Sequence, residues 1–181
     1  MNPINQKESE FLERVNQFLP KDINWKQGAI DYLKAICGGE EDLFHYIKPF
    51  QGGPDWNDFF DEMYSFLNVV EKVNMPMKSR FLDVACGPGW TSQYLAKLGY
   101  SVCGIDISED LLKIARERMD SEKFRVYPEV PLDAEFLIHD IESKPIDKDS
   151  FDCAMFFSAL HHFVNPINAL RNVSKSLKDD G

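Results

Sequence analysis

The chain has 181 residues, 44% of them apolar and 28% charged, enough for one packed domain and too apolar for a disordered segment. Twenty Lys and Arg against thirty Asp and Glu leave a net charge of −10, which weighs against an uninterrupted basic face for nucleic acid. No run approaches the roughly 18 apolar residues of a membrane span. The N-terminus lacks a signal peptide's apolar core, and Cys37, Cys86, Cys103 and Cys153 form no CxxC pair. The expectation is a cytoplasmic chain with reduced thiols and no metal cage.

Residues 1–78 read as a helical N-terminal cap or lid. Phe11, Val15, Phe18 and Leu19 follow helical spacing up to Pro20, and Ile30, Leu33 and Ile36 repeat it up to Gly38-Gly39. After the irregular KPFQGGPDWND segment, Phe59, Met63, Phe66, Leu67, Val70 and Val73 form a longer apolar stripe suited to core packing. From residue 79 onward, short apolar runs alternate with helical patterns. RFLDVA (80–85), VCGID (102–106), EFLIH (135–139) and FDCAMFF (151–157) predict four strands. Helices are expected from Thr91 to Leu98, closed by Gly99; after Ser108 as N-cap; and after Asn165-Pro166. The stretch between Met119 and Asp133 is longer than a usual connection. Strands alternating with helices imply an α/β fold with a mostly parallel sheet.

The strongest local signal is FLDVACGPGWTS (81–92), a strand running into a Gly-containing turn and then a helix. Such a turn lies at the carboxyl end of the sheet, where open α/β folds bind ligands. Gly87 and Gly89 let backbone approach a ligand, and Asp106, at the end of the second strand, can accept from a ribose diol. The two features together point to an adenosine-containing ligand. The dinucleotide fingerprint wants a third Gly where Ser92 stands, and Asp83 sits badly beside a pyrophosphate. Asp83 suits a ligand with a cationic amino group instead.

The stretch from Arg80 to Gly181 resembles the class I S-adenosylmethionine-dependent methyltransferases, in the branch with an LHH signature after the fourth strand. The family's acidic-x-Gly-x-Gly-x-Gly block is here Asp83 to Gly89, with Ala85 in place of the first Gly. In GIDIS the resemblance implies that Asp106 holds the ribose hydroxyls and Ile107 packs on the adenine. In HDIE it implies that Asp140 accepts from the adenine amino group and Ile141 adds a backbone contact. Phe157 and Ser158 fall beside the methionine portion. The implied cofactor is S-adenosyl-L-methionine, with S-adenosyl-L-homocysteine as product. The implied architecture is a Rossmann-like parallel sheet in the order 3-2-1-4, with the chain ending before the fifth of the family's seven strands. A further C-terminal segment or an oligomer partner is then expected over the strand 4 edge.

Asp140 also reads as a turn or capping residue, and Asp152 as part of a strand's entry turn. No catalytic base is identified; His161 and His162 are candidates, with a structural role for at least one as the alternative, and adjacent residues diverge on helix or strand, which makes them a poor chelating pair. Trp90, Trp56 and Phe50 read as packing residues. The leading expectation is methyl transfer to a small-molecule acceptor. The cap followed by CGPGWTS is similar to enzymes associated with polysaccharide or secondary-metabolite assembly, which makes a sugar or secondary metabolite one candidate acceptor, its identity left open. A non-catalytic S-adenosylmethionine-binding module is the alternative, and an NAD-dependent oxidoreductase stands behind both.

Overall fold

The computed structural model describes residues 48–50, 56–120, 132–147 and 149–181. The helices expected around Phe11–Leu19 and Ile30–Ile36, much of KPFQGGPDWND and the middle of the 119–133 stretch lie outside them. The described elements are α1 (Asn57–Val73), β1 (Arg80–Val84), α2 (Trp90–Lys97), β2 (Ser101–Asp106), α3 (Glu109–Asp120), β3 (Ala134–Ile138), β4 (Cys153–Met155), a 3₁₀ turn (Leu160–His162) and α4 (Pro166–Ser176).

Local chemistry explains most boundaries. Gly99 takes φ +92 one residue past the C-cap of α2, as its place after the apolar pattern requires. The Ser108 carbonyl accepts from Leu112 N–H at the start of α3, and its hydroxyl faces Leu111 N–H at 3.4 Å. At α4 the Asn165 side chain accepts from Asn168 N–H at 3.0 Å, with Pro166 filling a position whose missing N–H costs nothing.

The four strands form one parallel sheet in the order β3-β2-β1-β4. Alternation along β1 sorts the core between the two faces. Leu82 and Val84 join Cys103, Ile105, Ile141, Phe151, Ala169 and Val173 beneath α4. Phe81 joins Val102, Trp90, Leu95, Tyr100 and Met155, and Phe66 of α1 reaches into this second cluster. Of the predicted α1 stripe, Phe66 is fully buried, whereas Leu67 and Val73 are exposed.

β4 is shorter than FDCAMFF implies. Only Cys153–Met155 pair as a strand with β1, and Phe151 instead makes an isolated parallel bridge to Leu177. The backbone then turns, with Ser158 at φ +48, and Phe157 packs edge-on against Phe66 and Trp90. Asp152 serves the strand entry: its carboxylate accepts from Arg80 N–H at 2.7 Å and from Lys178 Nζ at 2.5 Å.

Gly89 is the tightest packing point between the glycine turn and α3. It has φ +73, and a Cβ there would lie 2.6 Å from Ala115 Cβ and 3.2 Å from Phe136 Cε1. Gly89→Ala is expected to lower unfolding free energy by about 2–4 kcal/mol, left-handed strain adding to overpacking. Urea denaturation of the two proteins checks this.

Candidate active site

Register brings the chemistry to one edge. Val84 pairs with Ile105 and Asp106 with Ile138, so β1, β2 and β3 deliver their following turns side by side. Cys86 N–H donates to Ile105 O and His139 N–H to Asp106 O, both at 3.0 Å, extending the ladder into those turns. A cavity of about 200 Å³ opens there, an order of magnitude above the roughly 10–15 Å³ that admits one water. Its wall includes Ala85, Gly87, Asp106, Ile107, Asp140, Ile141, Phe157, Ser158 and His162. Most of the residues singled out in the sequence therefore face one space.

Two do not. Asp83 is 1% exposed and absent from the wall. Its Oδ2 accepts from the Thr91 and Ser92 hydroxyls, both at 2.6 Å, and Ser92 N–H also bonds it. The N-cap of α2 is Gly89, which has no side chain to offer, so a carboxylate from the neighbouring strand satisfies the helix start instead. Gly89 also lies outside the wall and serves helix packing. The expectation that Asp83 meets a ligand's amino group fails on geometry, because its carboxylate is consumed inside the protein.

The remaining residues have definite positions. Ala85 sits at φ +56, so the side chain replacing the family's glycine carries left-handed strain as well as an extra methyl. Asp106 is held from both sides, Oδ2 accepting from Gly87 N–H at 3.0 Å and Oδ1 from Ser108 N–H at 2.9 Å. Burial raises its pKa above the ordinary carboxylate value, while those bonds pull the other way. Asp140 both lines the cavity and anchors its own turn, accepting from Glu142 N–H at 3.1 Å and from the Ser143 hydroxyl. Ile107 is 37% exposed and offers an apolar surface; the Ile141 carbonyl is already taken by Asn172 Nδ2 at 2.7 Å.

His161 and His162 do not diverge. The 3₁₀ turn sets their ring centroids 4.0 Å apart, and only His162 reaches the cavity wall. Burial, His161 and then Lys48 lower the pKa of His162, which keeps it neutral at physiological pH. No group of three or more potential metal ligands occurs among the described residues.

A family model described as "Methyltransferase domain" matches residues 82–181. The chain belongs to the methyltransferase-domain family. "Ubiquinone biosynthesis O-methyltransferase" of Glaesserella parasuis is 30% identical over 114 residues, 62% of this chain and 47% of that protein. "Uncharacterized protein MJ1252" of Methanocaldococcus jannaschii is 35% identical over 159 residues, 82% of this chain and 56% of that protein. Among solved structures, one of "SAM-dependent methyltransferases" from Methanosarcina mazei superposes with TM-score 0.52 at 27% identity, covering 60% of this chain and 52% of that one. The chain spans about half the length of the curated relatives it matches. Membership implies S-adenosyl-L-methionine as the cofactor.

Sequence reasoning missed several wall residues of this methyltransferase domain. Lys48, Glu62, Cys86, His139 and Leu111 also line the cavity. Trp90 packs as its sequence position predicts, 5% exposed, and it also lines the cavity wall. Glu62 had a legible signal: it interrupts the apolar stripe of α1 four residues before Phe66. The segment 48–50 is tied down by Arg118 of α3, which donates to Pro88 O at 3.1 Å and to Lys48 O at 2.9 Å.

Burial raises the pKa of Asp83 to about 6, against the Thr91 and Ser92 bonds that lower it. A folded pKa above the unfolded value of about 3.9 means that Asp83 contributes most below pH 4. That contribution is lost as pH rises through 6, where the folded carboxyl ionises. The stability of the wild type relative to Asp83→Asn is therefore expected to fall between about pH 4 and pH 7. Thermal melts of both proteins across that range check the sign.

Proposed function

We propose that this domain binds S-adenosyl-L-methionine along the carboxyl edge of its sheet and transfers the methyl group to a small-molecule acceptor. The observation carrying the reading is the Asp106 carboxylate, half-buried at the cavity edge and oriented by backbone N–H donors that include Gly87 and Ser108. A carboxylate has about four acceptor sites, so it keeps capacity for the hydroxyls of a ribose beside its backbone donors. Gly87 supports the same fit, because a Cβ there would meet nothing nearer than Leu111 Cδ1 at 4.0 Å, leaving the backbone face open to the cavity. Ile107 and Leu111 supply apolar surface beside it for the adenine, and Asp140 an acceptor for the ring amino group. Phe157 and Ser158 then stand beside the methionine half.

The cofactor supplies an electrophilic methyl group on a sulfonium sulfur. What remains for the protein is to align the acceptor in line with that bond and to exclude water. Trp90, Phe157 and the buried Phe66 behind them form a continuous aromatic wall that does the second. His162, neutral and at the cavity wall, is the group positioned to take a proton from a hydroxyl acceptor. The relatives named for ubiquinone biosynthesis support an oxygen acceptor on a small molecule, and the net charge of −10 favours a small acceptor over a nucleic acid.

Asp106→Ala is expected to weaken S-adenosylhomocysteine binding by about 1.5–3 kcal/mol, the scale of hydrogen bonds to a charged group. Calorimetry on the folded variant measures it, with Asp140→Ala expected to show a smaller loss because its carboxylate is already engaged in a turn. Labelled-methyl transfer to a panel of phenols, sugars and amines tests the reaction. Tight cofactor binding with no turnover on any acceptor would favour the non-catalytic module.

A further inference from the structure

Glu62 brings an unmatched carboxylate into the cavity from outside the Rossmann-like unit. It lies on α1 one turn before Phe66, which is fully buried, with its ring 5.4 Å from Trp90 and 5.7 Å from Phe157. Residues four apart share a helix face, so the packing of Phe66 directs Glu62 toward the cleft, whose wall it joins together with Trp90, Thr91 and Phe157. Its Oε2 is buried and has no hydrogen-bond partner. Leaving a buried carboxylate oxygen unsatisfied costs its full desolvation, so the position calls for a donor that a ligand provides.

The sheet order says which part of the ligand this is. Asp106 and Asp140 follow β2 and β3, while Trp90 and Phe157 follow β1 and β4, so the cavity has an adenosine end and an aromatic end. S-adenosylmethionine carries its amino group at the end remote from adenosine. Asp83, the carboxylate nearest the glycine turn in sequence, is consumed by Thr91 and Ser92, and Glu142 accepts from Asn165 N–H. We propose that Glu62 of the cap helix receives the cationic amino group of the cofactor's methionine half. The inference rests on the cofactor reading above, and it makes the cap part of the cofactor site.

The test compares two ligands on the full chain by calorimetry: S-adenosylhomocysteine, and 5′-methylthioadenosine, which lacks the amino-acid half. Glu62→Gln keeps the size of the side chain and removes its charge. It is expected to weaken S-adenosylhomocysteine roughly ten- to hundred-fold while changing methylthioadenosine affinity less than twofold. Should Glu62→Gln melt below the assay temperature, Glu62→Asp, which keeps the charge and shortens the reach, is expected to show the same one-sided loss. Unchanged S-adenosylhomocysteine affinity overturns the proposal and hands Glu62 to the acceptor. Equal losses for both ligands overturn it in favour of a structural role. A wild-type chain that binds neither ligand overturns the cofactor reading itself, which separates the two failures.

Discussion

The buried carboxylate of Asp83 is the interaction on which the site depends. It sits on the central strand β1, is sealed from solvent, and draws the Thr91 and Ser92 hydroxyls and the Ser92 N–H onto itself. Those bonds fix where α2 begins relative to the end of β1. The intervening turn, from Ala85 to Gly89, is thereby held open with three successive odd-numbered residues, Ala85, Gly87 and Gly89, all at positive φ. A turn of that shape points Gly87 N–H at Asp106, so the carboxylate that shapes the turn also orients the one at the cavity edge. Charge burial here is unfavourable in itself, as the raised pKa of Asp83 shows. The cost is offset by donors no solvent molecule has to provide.

Strain gathers at the same edge. Ala85 at the end of β1 and Ser158 just beyond β4 both take left-handed backbone conformations that side chains disfavour. They flank the cavity, one following each of two adjacent strands. Such conformations persist where the surrounding packing over-determines them, which here is the ladder continuing through Cys86 N–H and the aromatic cluster of Phe66, Trp90 and Phe157. Turns fixed in this way suit the alignment that the proposed methyl transfer calls for.

The cap helix changes how the two parts of the chain relate. α1 is tied to the sheet domain through the burial of Phe66, while Phe60, Tyr64 and Leu67 on the same helix remain exposed. Its docking therefore rests on one deep aromatic contact and its neighbours. That contact also completes the aromatic wall and sets Glu62 over the cleft.

The sequence by itself determined the alternation of strands and helices, a mostly parallel sheet and the glycine turn at its carboxyl edge, while the order 3-2-1-4 came through the resemblance to a known family. Period and turn chemistry are local, and a parallel βαβ chain has few ways to fold. Gly99, Ser108 and Asn165 act as caps where their neighbours in sequence say they should. What only the tertiary structure decided are the directions of side chains whose partners lie far along the chain. Asp83 reads as a ligand residue because its competitors, Thr91 and Ser92, are recognisable only once α2 is laid beside β1. β4 reads as seven residues because the run of apolar side chains does not reveal that Phe157 leaves the sheet for α1. Glu62 shows in sequence only as an interruption of an apolar stripe, and its place in the cavity wall is decided when Phe66, one turn on, finds Trp90 and Phe157. Local physics fixes conformation, whereas the matching of buried polar groups to partners depends on contacts that sequence separation hides.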